Sequence, residues 1–170
     1  MKILFVASLY YPHVGGIETV IRELSRRYLD AGNEVSVLTK KYPNDLAEYT
    51  RVDGVDIYRV KSARTLQDFE SVGRELARIE QDIKADCVHV IGLRRPLGLL
   101  ALILARKWNV PLIVSAGGGE LPEPDDETSL SVWRESEDIA RNVSLQANRN
   151  VTFSRDLKRI IHENISHDIE

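Results

Sequence analysis

Cysteine is nearly missing from this chain: Cys87 is the one thiol in 170 residues, so no internal disulfide framework can exist. That usage predicts a reducing, cytoplasmic setting. Cys87 also lies in the apolar run Cys87-Val88-His89-Val90-Ile91, where a buried structural thiol is expected rather than a reactive one. Long hydrophobic runs are missing too. The longest, Pro96 to Ala105, is too short to span a bilayer. The apolar start at Lys2–Leu9 meets Pro12 and Gly15-Gly16 before it reaches the length of a signal-peptide core. No excess of one charge sign is present, since the net charge of −3 weighs against a dedicated nucleic-acid binder. Internal repeats and low-complexity tracts are absent. So is the spaced G-x-G-x-x-G, and no Walker A lysine follows a glycine cluster, which weighs against an NAD enzyme or an NTPase.

What is present reads as a single folded domain over residues 1–170, with 43% hydrophobic and 29% charged residues. Strands and amphipathic helices alternate along it. Lys2–Ala7 is a short buried strand, and Ile17–Ala31 has apolar residues at helical spacing until Gly32-Asn33 stops it. Glu34–Thr39 is a second strand, Lys40–Arg51 a polar loop, and Val55–Val60 a third strand entered through Asp53-Gly54. A helix marked by Phe69, Val72, Leu76, Ile79 and Ile83 leads to the strand Cys87–Ile91. The helix Pro96–Trp108 is apolar nearly all round and should be deeply packed. Pro111–Ser115 is a fifth strand, Ser129–Ala147 a helix, Asn150–Ser154 a sixth strand and Arg155–Asn164 a last helix. This alternation predicts an α/β fold, a Rossmann-like parallel sheet flanked by helices on both faces.

In such a fold the loops after the strands decide function. The most informative is the first, because Gly15-Gly16 stands between strand and helix. Glycine there can serve a turn, or the close approach of a ligand to backbone amides at a helix start, which suits a phosphate. The loops at 8–16, 92–96 and 115–121 should share one sheet edge. They bring together Tyr10, Tyr11, His13, Arg94, Arg95, Glu120 and the glycines 117–119. Asp125-Asp126-Glu127, beside Pro122 and Pro124, reads as a solvated loop, so no metal is expected. His89 reads as a core histidine, and His162 and His167 as inert.

Several runs, taken in order, resemble a family. Tyr11-Pro12-His13-Val14-Gly15-Gly16-Ile17-Glu18, then Arg22-Glu23-Leu24 and Ala31-Gly32-Asn33-Glu34-Val35, are similar to the N-terminal half of the GT-B retaining glycosyltransferases of family 4, also labelled group 1. Asp86–Leu93 resembles the family's fourth-strand segment. Val110–Ser115 with Gly118-Gly119-Glu120-Leu121-Pro122 resembles its fifth strand and loop, and Asn150–Ser154 with Asp156-Leu157-Lys158 its next strand and helix.

The resemblance implies a two-lobed enzyme in which this chain is the acceptor-side lobe. The C-terminal lobe that holds most of the donor nucleotide would lie outside it, and the isolated lobe would not turn over. A sugar would pass from a UDP-, GDP- or ADP-sugar, serving as co-substrate without a bound cofactor, to a hydroxyl of a sugar, polyol or lipid-linked acceptor. Carried onto this sequence, Gly15 and Gly16 would face the donor diphosphate. Tyr10, Tyr11, His13, Arg94, Arg95, Gly118, Gly119 and Glu120 would line the acceptor side, and no catalytic side chain is assigned. Arg22, Arg26 and Arg27 offer either a solvated helix face or a peripheral contact with the inner face of a membrane. Two positions depart from the family. Gly117 and Ile91 stand where many members carry histidine. These departures keep open a stand-alone, non-catalytic module that binds a phosphorylated small molecule. An oxidoreductase domain is a third reading, disfavoured by the missing fingerprint.

Overall fold

The computed structural model describes residues 1–61, 66–92, 97–117 and 137–165. Its first strand, β1 (Lys2–Ala7), carries apolar side chains on both faces, the pattern of a central parallel strand. Leu4, Phe5 and Val6 are completely buried, and burying each contributes roughly 1.5–3 kcal/mol. Helix α1 (Gly16–Asp30) follows. It ends in a Schellman arrangement: the Asn33 amide donates to the Tyr28 carbonyl at 3.0 Å and the Gly32 amide to Leu29 at 2.9 Å. Gly32 supplies the left-handed φ of 77° that this ending requires.

Strand β2 (Glu34–Lys40) pairs parallel with β1. Next come β3 (Tyr49–Val52) and β4 (Val55–Val60), an antiparallel hairpin with β4 parallel to β2. Here the structure corrects the sequence reading. Residues expected to end a polar loop form an edge strand, and Asp53-Gly54 is a two-residue hairpin turn with φ of 50° and 84° rather than the entry to a lone strand. The sheet is therefore parallel except at this edge.

Helix α2 (Leu66–Ile83), β5 (Cys87–Ile91), α3 (Leu97–Trp108) and β6 (Leu112–Ala116) fall where the periodicity places them, to within a few residues. Within the expected helix 129–147, the described residues 137–145 are helical (α4). Strand β7 (Arg149–Thr152) stops short of Ser154, whose hydroxyl instead accepts from the Leu157 amide at 3.1 Å and caps α5 (Arg155–Asn164).

The seven strands lie in the order β3-β4-β2-β1-β5-β6-β7. On one face, α1 packs through Ile17, Val20, Ile21 and Leu24 against Ile3, Phe5, Val35, Val37 and Ile57. On the other, Val72 and Leu76 of α2, Leu100 and Leu104 of α3, Val143 of α4 and Ile161 of α5 close over Leu4, Val6, Val88, Val90 and Val114. Helices thus cover both faces. Among the described residues no helix is long and apolar enough to cross a membrane.

Candidate functional site

The strand order reverses at β1. The chain leaves β1 toward β2 on one side, whereas β5 and β6 lie on the other. The carboxyl ends of β1 and β5 therefore flank a switch point, where open parallel sheets bind ligands.

The loop after β1 ends at Gly15, the N-cap of α1, and no side chain caps the helix there. The first intrahelical bond runs from the Thr19 amide to the Gly15 carbonyl at 3.0 Å, doubled by the Thr19 hydroxyl at 2.8 Å. The amides before Thr19 have no partner within the helix, and they carry the positive end of its dipole. Neither glycine is imposed by backbone shape. Gly15 has φ −157° and ψ −171°, extended angles open to any residue. A Cβ on Gly16 would meet nothing within 4 Å. Neither position therefore needs glycine for its dihedral angles.

Glu18 lies over the first of these glycines. A Cβ on Gly15 would stand 2.5 Å from Glu18 Oε2, the movable end of a side chain. Its other oxygen lies 4.0 Å from His13 Nε2. The carboxylate sits where a helix N-terminus favours an anion.

The structure brings Tyr10, Tyr11 and His13 together, as lining of a cavity of about 330 Å³ beside α1. Tyr10 is buried, and burial raises its hydroxyl pKa, an effect partly offset by the Arg22 charge and by the Ser25 hydroxyl. Tyr11 is exposed, but its carbonyl is held at 2.7 Å by Arg59 Nη2. Gly117 follows β6. Arg94, Arg95, Gly118, Gly119 and Glu120 lie outside the described residues, as does Asp125-Asp126-Glu127. Among the described residues no cluster of His, Cys, Asp and Glu is suited to a metal ion. Cys87 is buried, and burial raises its thiol pKa, as a structural cysteine requires.

His89 is likewise a core residue. Its Nε2 lies 2.8 Å from Ser115 Oγ and its ring packs 5.1 Å from Phe5, while burial pushes its pKa down to about 4. It is neutral at physiological pH. On α1, Arg26 is shared between Glu23 at 3.2 Å and Asp30 at 3.4 Å, so the helix does not present an unbroken basic stripe.

Two residues of the site escaped the sequence reading. Arg59 is only 4% exposed, and its guanidinium bonds the carbonyls of Ala47 and Tyr11 and the Thr50 hydroxyl, all neutral oxygens. Burial lowers its pKa from the usual value. It ties the loop that leads into the glycine pair to the edge hairpin. Ser25 is 1% exposed, beneath the same cavity. Both carried a signal: Arg59 continues the inward parity of Val55 and Ile57, and Ser25 stands on the apolar stripe of Ile21 and Tyr28.

Residues 14–169 match the model of Glycosyltransferase Family 4. No curated protein matches the chain. Among solved structures, sucrose-phosphate synthase from Thermosynechococcus elongatus superposes with a TM-score of 0.70 at 12% identity, over 100% of this chain and 47% of that one. HepE from Anabaena, solved with UDP, gives 0.62 at 15% identity, over 96% and 41%. The catalytic domain of starch synthase IV from Arabidopsis thaliana, bound to ADP and acarbose, gives 0.59 at 13% identity, over 95% and 48%. The chain spans less than half the length of each. With a family match running almost end to end over a sheet of this topology, the chain belongs to glycosyltransferase family 4 and has the fold of the N-terminal lobe of a GT-B enzyme.

Proposed function

We propose that this domain is the acceptor-side half of a retaining glycosyltransferase that moves a sugar from a nucleoside-diphosphate sugar to an acceptor hydroxyl. The observation that carries the reading is the Gly15-Gly16 pair, two glycines at an uncapped helix start whose own backbone angles do not demand glycine. In the reaction the anomeric C–O bond to the diphosphate breaks, a new C–O bond to the acceptor forms, and the acceptor hydroxyl's proton passes to the departing diphosphate oxygen. Negative charge grows on the leaving diphosphate. Fixed amides and a helix dipole stabilise such charge without reorganising at the moment of reaction. Glu18 swings aside for the diphosphate and returns after it leaves.

On this reading the nucleotide pocket belongs largely to a second lobe, and the described half alone binds without turnover. The UDP bound to HepE and the ADP bound to starch synthase IV support a nucleoside-diphosphate sugar as donor, with UDP-, GDP- and ADP-sugars as the candidates. Tyr10, Tyr11 and His13, together with Arg94, Arg95, Gly118, Gly119 and Glu120, are assigned to the acceptor side. Holding the acceptor hydroxyl against the anomeric carbon supplies the remaining rate. The experiment is to incubate the full-length protein with UDP-, GDP- and ADP-sugars and to follow release of free nucleoside diphosphate. Release with at least one donor is expected; neither hydrolysis nor transfer across the panel would refute the reading.

A further inference from the structure

The edge hairpin is far from the glycine pair in sequence, yet one of its side chains reaches the loop that leads to that pair. Residues 8–14, which join β1 to α1, form neither helix nor strand. Within this loop the His13 amide reaches the Tyr10 carbonyl only at 3.2 Å, and His13 and Val14 are exposed. Tyr10 anchors the loop by burial. The next tie comes from 48 positions along the chain, where Arg59 Nη2 donates to the Tyr11 carbonyl at 2.7 Å. Arg59 Nη1 serves the other side, donating to the Ala47 carbonyl at 3.1 Å and to the Thr50 hydroxyl. One planar group thus spans from the β3 segment of the hairpin to the loop that precedes Gly15-Gly16.

Packing alone does not ask for a charge here. Val55 and Ile57 share the inward face of β4, and an aliphatic side chain at position 59 would continue their row. The guanidinium is instead 4% exposed, and none of the acceptors it meets is a carboxylate. No ion pair offsets its desolvation, and apolar replacement of buried charged groups is often neutral or stabilising. What arginine supplies, and an aliphatic residue cannot, is a rigid fork with donors directed to two sides. Stability is therefore a poor account of Arg59, and the path of the loop is a better one.

We infer that Arg59 is a positioning residue: its guanidinium braces the loop at Tyr11 against the edge hairpin and so fixes the path of the chain into Gly15 and Gly16. It acts through the Tyr11 carbonyl and touches no substrate. The brace stands on the geometry alone, whereas its effect on rate rests on the proposed transferase reading. On that reading the amides must meet the leaving diphosphate, and a misplacement of about 1 Å can cost on the order of 10²-fold in rate. Most of the nucleotide pocket is assigned to the second lobe, so a slack loop should lower kcat and leave the donor KM near its native value.

The test compares Arg59→Met and Arg59→Lys with the native full-length protein by amide hydrogen exchange, thermal midpoint and steady-state kinetics with nucleotide sugars. Methionine keeps an apolar stem and removes every donor. Lysine keeps the charge but ends one atom earlier in a single nitrogen, so it cannot serve both sides. Both should speed exchange of residues 9–16 about tenfold or more relative to β5. Both should also lower kcat about tenfold or more while the donor KM stays within about twofold. Thr50→Val removes one acceptor at a half-buried strand position where valine is favourable, so it carries the test even if neither Arg59 variant folds. It should move loop exchange and kcat in the same directions by roughly two- to threefold. A lower midpoint with loop exchange and kcat unchanged would overturn the brace and leave Arg59 a core residue. Full kcat in Arg59→Lys would also overturn it, because charge without the fork would then suffice. No turnover by the native protein with any donor would refute the transferase reading, and loop exchange would still uphold or overturn the brace.

Discussion

Single residues in this domain carry physical constraints that their neighbours do not share. Arg59 is a charge buried among neutral oxygens. Its desolvation is offset only by the bonds that hold the Tyr11 carbonyl and the edge hairpin in place. His89 is held neutral, and that state has a measurable consequence. Its folded pKa of about 4 lies below the unfolded value of 6.5, so folding excludes a proton. The stabilisation is complete above pH 6.5 and is lost as pH falls toward 4, on the order of 3 kcal/mol over that window. Urea unfolding of the native protein and of His89→Gln at stepped pH isolates the effect. The native protein should lose stability more steeply between pH 6.5 and 4 than the variant, and parallel profiles would contradict a buried neutral imidazole.

At the scale of elements, the central strands were legible because they are buried on both faces, and α1, α2 and α3 because their apolar positions repeat at helical spacing. Strand β3 was not. It is an edge strand with one solvated side, and exposed Tyr49 and Arg51 make it read as loop. The Asp53-Gly54 turn and the β-favouring residues around it were the signal for a hairpin. That turn also shows what a structurally required glycine looks like. Gly54 has φ 84°, and a Cβ there would press to 3.3 Å from Leu29 Cδ1 on α1. Gly54→Ala should therefore destabilise the fold by about 1–3 kcal/mol. At Gly16, where the helical position is open, alanine should be neutral or slightly stabilising. Thermal melts of the two variants check the contrast, and equal losses would contradict it.

Over the whole molecule, topology was the most readable level, since alternating strands and helices leave few arrangements other than a doubly wound sheet. The site was readable only in outline. The glycine pair and the aromatic loop could be picked out, but the cavity beside α1 depends on the hairpin swinging Asp53 and Val55 against α1, a tertiary contact with no local pattern. On the proposed reading, the glycine pair would let a domain of this fold serve group transfer without a nucleophile of its own. Its part there would be to place amides and a helix dipole at the leaving group, with the acceptor positioned alongside.

The measurement that bears most directly on this account is donor use by Gly16→Val in the full-length protein, set beside its thermal midpoint. A Cβ at position 16 meets nothing within 4 Å, so the fold accommodates a side chain there, and on the proposed reading that side chain stands in the way of the donor diphosphate. The account predicts an unchanged midpoint to within a few degrees and a loss of tenfold or more in kcat/KM for the nucleotide sugar, about 1.4 kcal/mol of transition-state stabilisation. Unimpaired donor use with an intact fold would contradict it.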